Sequence, residues 1–89
     1  MINFKNKKII ITGATGGIGY SLVKTLVSLD GNVLATGTKT DKLDLLKKEF
    51  PNIKILKFDI SDHSKIEEFI ENASSKLNGI DVIINNAGI

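Results

Sequence analysis

Residues 12–19 read Thr-Gly-Ala-Thr-Gly-Gly-Ile-Gly, set between the apolar run Ile9-Ile10-Ile11 and a helical pattern. So many glycines in so short a stretch disfavour both a continued strand and a helix interior. They suit a tight strand-to-helix turn. Glycine at such a turn also lets an anion approach the backbone with no Cβ in its way. The helix that follows directs its free N–H groups and the positive end of its dipole at that anion. In this strand–turn–helix context the cluster has the chemistry of a dinucleotide pyrophosphate site.

The rest of the chain agrees with that beginning. Short β-branched runs occur at 7–12, 32–36, 53–58 and 80–85. They are continuous rather than alternating, as parallel strands covered on both faces should be. Helical patterns separate them. Ile18, Leu22, Leu26 and Leu29 carry the first, stopped by Gly31; Leu43, Leu46 and Phe50 carry the second, over 41–50, ended by Pro51. The third spans 62–77, with Ile66, Phe69, Ile70, Ala73 and Leu77 inward, a cap expected from Ser61 or Asp62, and Asn78-Gly79 turning the chain afterwards. The order β-α-β-α-β-α-β predicts a parallel α/β sheet, doubly wound in strand order 3-2-1-4, the first half of a Rossmann fold. Every glycine-, hydroxyl- or amide-rich segment then converges on the carboxyl edge of that sheet.

Composition narrows the functional classes. The chain has 89 residues, room for one small domain, and no cysteine, which excludes thiolate catalysis, disulfides and cysteine-ligated zinc. All twelve basic residues are lysine, so any phosphate contact comes from Lys, hydroxyls or backbone N–H groups. A net charge of +2, scattered along the chain, predicts no nucleic-acid surface. No apolar run reaches the length of a signal core or membrane span, so a cytoplasmic location is expected.

Three motifs in order, Thr12-Gly13-x-x-x-Gly17-Ile18-Gly19, Asp59 after the third strand and Asn85-Asn86-Ala87-Gly88 after the fourth, resemble the N-terminal half of a short-chain dehydrogenase/reductase. Gly13, Gly16 and Gly19 also fit the spacing of the family's extended branch, but Asn-Asn-Ala-Gly replaces that branch's usual fourth-strand motif. A P-loop fits less well, since no Gly-Lys-Ser/Thr follows the turn. The resemblance implies that Gly13 makes the tight turn, Gly17 clears room for pyrophosphate and Gly19 allows close helix packing. It implies a phosphate contact from the Ile18 N–H and an adenine contact from Asp59, with the Ile60 backbone beside it. A turn or capping aspartate is the alternative for Asp59. Asn86, Ala87 and Gly88 would line the ribose, although the amides of Asn85 and Asn86 can equally tie neighbouring strands together.

Cofactor choice falls to the end of the second strand. Relatives that use NAD carry an aspartate at the position of Gly37, which accepts from the ribose hydroxyls and repels a 2′-phosphate. Here Thr38, Lys39 and Thr40 follow instead, with Thr15 and Gly16 across the turn, a set that favours NADP over NAD.

Tyr20 and Lys24 have the Tyr-x-x-x-Lys spacing of the family's catalytic pair, but they lie upstream of every other motif and read as a helix-surface pair. His63 stands alone and makes no metal site. The resemblance places the catalytic serine, tyrosine and lysine beyond Ile89. Residues 1–89 are therefore expected to be an inactive N-terminal piece of a reductase, its fourth strand an apolar edge prone to association. The full protein is expected to be a homotetramer. The short lead and the Thr-Gly-Thr-Lys-Thr segment resemble bacterial 3-oxoacyl-acyl-carrier-protein reductases, implying a carrier-bound or small-molecule substrate. A non-catalytic dinucleotide-binding module is the rival.

Overall fold

A computed structural model describes residues 3–86. Its elements run β1 (Lys8–Ile11), α1 (Gly17–Ser28), β2 (Asn32–Gly37), α2 (Thr40–Glu49), β3 (Lys54–Lys57), α3 (Ile66–Leu77) and β4 (Val82–Ile84). The four strands form one parallel sheet in the order β3-β2-β1-β4, as predicted. Ile9, Ile10 and Ile11 pair with Val33, Leu34 and Ala35 on one side and with Val82, Ile83 and Ile84 on the other. β1 and β2 are thus the two interior strands, and all three isoleucines of β1 are at most 1% exposed.

Strand alternation divides the core in two. Ile9, Ile11, Val33 and Ala35 face Val23 and Leu26 of α1 and Leu43 and Leu46 of α2. Ile10 and Leu34 face Phe69, Ala73 and Leu77 of α3. Those three are the buried members of the stripe expected for the third helix; Ile66 and Ile70 are half-buried at its margin.

α1 stops before Gly31 as expected, and the left-handed residue at its exit is Asp30, at φ 65°. A short aspartate can adopt that conformation by bonding locally. The third helix begins as a 3₁₀ turn at His63–Lys65 and becomes α-helical only at Ile66. Neither Ser61 nor Asp62 caps it, because each is used next door: Ser61 bonds Asp59, and Asp62 accepts from the Ser64 hydroxyl at 2.6 Å. At the other end Asn78 (φ 61°) and Gly79 (φ 120°) make the expected turn.

Candidate functional site

A cleft of about 510 Å³ opens along the carboxyl edge of the sheet. Ten of the residues expected from sequence line it: Thr12, Gly13, Thr15, Gly16, Gly17, Ile18, Thr38, Asp59, Ile60 and Asn86. Gly19 and Lys39 do not, and Ala87 and Gly88 lie outside the described residues.

The glycine turn is built by exclusion. Gly13 sits at φ 61°, a conformation that a Cβ would strain. Gly19 is buried behind the cleft, where a Cβ would lie 2.2 Å from the Gly13 carbonyl oxygen and 2.7 Å from the Ala14 Cα. Its absence therefore lets α1 close onto the backbone of the turn itself. Gly17 differs, since a Cβ there would meet nothing within 4 Å. The bare backbone of Gly17 faces open space at the start of α1, where Gly16 provides no side-chain cap. The first N–H groups of a helix have no intrahelical acceptor. A helix start with unpaired donors, no acidic residue in its first turn and an unobstructed approach fits a pyrophosphate.

The β4 side is held to the turn by hydrogen bonds. The Thr12 hydroxyl donates to Asn85 Oδ1 (3.0 Å) and accepts from the Asn86 N–H (2.9 Å), while Asn86 Nδ2 donates to the Gly13 carbonyl (3.1 Å). Both asparagines thus act as ties between strand ends. Asn86 does so from the cleft wall. Thr12, expected as a cofactor residue, lines the cleft while its buried hydroxyl serves this tie.

At the β2 end, Gly37 is buried, and a Cβ there would stand 3.5 Å from Thr15 Oγ1. This is an ordinary contact distance for a Cβ. Thr38 continues the wall, but Lys39 swings out as the backbone cap of α2, its carbonyl accepting from the Leu43 N–H at 3.1 Å. Three lining residues absent from the expected site are Thr36, Gly37 and Phe58. Phe58 stacks on Phe69 with ring centroids 4.3 Å apart, pinning the end of β3 to α3. Their signal was present in sequence as strand ends on the ligand-binding edge.

Asp59 is bent into a local turn. Its Oδ1 accepts from the Ser61 hydroxyl (2.7 Å) and the Ser61 N–H (2.9 Å), which hold the carboxyl below the usual carboxylate range. The turn reading of this residue is thus realised within the cleft wall, and Asp59 Oδ2 has no part in either bond. Tyr20 is occupied elsewhere. Its hydroxyl donates to Glu49 and its ring packs against Phe50 at 5.9 Å, so it clamps α1 to α2. The Glu49 hydrogen bond raises the phenol above its ordinary pKa, which opposes a role as proton donor. Among the described residues no cluster could hold a metal ion, and no helix is long and apolar enough to cross a membrane.

Known proteins share this arrangement. The chain is 36% identical over 84 residues to the oxidoreductase DltE of Bacillus subtilis, covering 94% of this chain and 33% of that protein. It is 32% identical over 82 residues to the NADP-dependent 3-hydroxy acid dehydrogenase YdfG of Escherichia coli K12, covering 91% and 33%. A crystal structure of a short-chain dehydrogenase/reductase (glucose/ribitol dehydrogenase) from Brucella melitensis superposes with a TM-score of 0.82 at 26% identity, over 92% of this chain and 36% of that one. The chain therefore spans about a third of the length of the relatives it matches. Neither DltE nor YdfG is named for a carrier-protein thioester. The family model for short chain dehydrogenases matches residues 7–89, beginning just before β1 and taking in the glycine turn and every later strand, and the chain belongs to that family.

Proposed function

We propose that these residues bind NADP(H) for a reductase that acts on a 3-oxoacyl thioester, the remaining catalytic groups lying beyond residue 89. The observation that carries the cofactor choice is the end of β2. Gly37 offers no carboxylate to the ribose, and Thr15 and Thr38 present hydroxyls in the adjoining wall. A 2′-phosphate finds donors there and no carboxylate at the end of β2. When bound, the nicotinamide would supply the hydride. The chain's own residues hold and orient it: the backbone of Gly17 and Ile18 at the pyrophosphate, Thr15 and Thr38 toward the 2′-phosphate, Asp59 and Ile60 toward the adenine.

We assign no proton donor to a substrate carbonyl among the described residues of the cleft. Tyr20 is committed to Glu49, and His63 lies on the 3₁₀ turn before α3, outside the cleft lining. On this reading a serine and a Tyr-x-x-x-Lys pair follow in the same polypeptide, which is cytoplasmic and assembles as a homotetramer. The 3-hydroxy acid named for YdfG supports a second substrate reading, a free 3-hydroxy acid. Both share an oxygen-bearing carbon two bonds from a carboxyl carbon.

The cofactor test is a titration of wild type and Gly37→Asp with NADPH and NADH. Wild type should prefer NADPH. The variant should move the ratio toward NADH by on the order of tenfold to a hundredfold, about 1.4–2.7 kcal/mol. Equal affinities in wild type would overturn the NADP assignment. The substrate test compares a 3-oxoacyl carrier thioester with free 3-hydroxy acids in the full gene product. Turnover of the free acid alone would select the second reading.

A further inference from the structure

Thr36 is 2% exposed at the end of β2, and its hydroxyl has no hydrogen-bond partner. It is also part of the cleft wall. Its neighbours explain why the protein leaves it unpaired. Across β3 its register partner is Leu56, which is apolar. Toward β1, the next residue past the last pair is Thr12, whose hydroxyl is directed at the β4 end. A buried hydroxyl left unpaired is destabilising, and a valine of the same shape would serve packing better. Packing therefore gives no reason for a threonine here. A ligand does.

We propose that the Thr36 hydroxyl hydrogen-bonds the edge of the purine base and so helps to select an adenine-bearing ligand; the inference rests on the dinucleotide reading above. Strand alternation puts Thr36 on the same face as Leu34, the face packed by α3. Phe58 and Ile60 stand beside it in the cleft wall, apolar surfaces suited to a flat base. With the pyrophosphate on the glycine turn, the nucleoside toward β2 and β3 is the adenosine half. The hydroxyl can donate to a ring nitrogen or accept from an amino group.

Two probes separate the base from the phosphates: ADP, which carries adenine, and inorganic pyrophosphate, which reaches only the glycine turn. Their affinities are measured by calorimetric titration of the full gene product and of its Thr36→Val and Thr36→Ser variants. Thr36→Val should weaken ADP about tenfold. Pyrophosphate affinity should be unchanged, and the melting temperature without ligand no lower than wild type. Thr36→Ser should keep most of the ADP affinity. Unchanged ADP binding in Thr36→Val overturns the proposal, as does equal loss for both probes, which would mark a general distortion of the cleft. If the wild-type chain binds neither probe, the dinucleotide reading itself falls, and this inference with it.

Discussion

On the face of the sheet covered by α1 and α2, the buried cluster has ten described residues, whereas on the face covered by α3 alone it has five. The first face is closed by two helices that also clamp each other through Tyr20, Glu49 and Phe50. Among residues 3–86 the second has α3 as its one helix, and Ile83 of β4 on that face is 50% exposed. The cleft straddles this difference. Its proposed phosphate end, the turn running into α1, belongs to the thick face and is made of backbone, with glycine demanded at Gly13 by its φ and at Gly19 by close packing. Its proposed base end, Thr36 and Phe58, belongs to the thin face and is made of side chains. Rigid backbone geometry suits the part of a ligand shared by every dinucleotide, and side chains suit the part that distinguishes one from another.

The comparison breaks most visibly at Gly19. A methyl group there collides with the backbone of Gly13 and Ala14, which cannot rotate away. Gly19→Ala should lower stability by about 3–4 kcal/mol and abolish pyrophosphate binding, as read from a urea midpoint and the titration above. A midpoint unchanged from wild type would mean that the turn yields, and that the thick face is not rigid.

Identical truncations on the two faces sharpen the contrast. Leu43 of α2 is 1% exposed on the thick face, and Leu56 is half-buried at the thin face. Leu43→Ala should cost about 3 kcal/mol, and Leu56→Ala about 1 kcal/mol because its site already meets solvent. Equal losses in urea unfolding would remove the distinction.

The smallest effect lies at the edge of the cleft. The Ser61 bonds lower the Asp59 pKa in the folded state, so their contribution is present above the ordinary carboxylate pKa. It is lost as pH falls through the lowered folded value, a window below about pH 4. Carboxyl ¹³C titration should show Asp59 below the ordinary carboxylate value, and Ser61→Ala should bring it back toward that value. An Asp59 that titrates at the ordinary value while Ser61 is intact would rule out the closed turn.

Much of this was legible in sequence because the signals are local or periodic. β-branched runs, helical stripes and the glycine turn located all four strands and the three helices to within a few residues, and the turn's position indicated the strand order. The less legible features depend on competition between neighbours. Ser61 and Asp62 both look like helix caps, but each hydroxyl or carboxylate can be used locally first, and Asp59 and Ser64 claim them. Lys39 stands one residue past the wall, where its backbone carbonyl accepts from Leu43 in the first turn of α2.

The amino-acid sequence by itself determined the parallel α/β order, the family and the backbone cradle at Gly13–Gly19, because turn chemistry and hydrophobic period act over a few residues. Only the tertiary structure decided how the polar side chains of the cleft divide their bonds. It tied Thr12, Asn85 and Asn86 to one another, bent Asp59 onto Ser61, and left the Thr36 hydroxyl alone. A side chain's spare hydrogen-bonding capacity depends on what the fold brings within 3 Å or so of it, and those neighbours are up to seventy-four residues away in the chain.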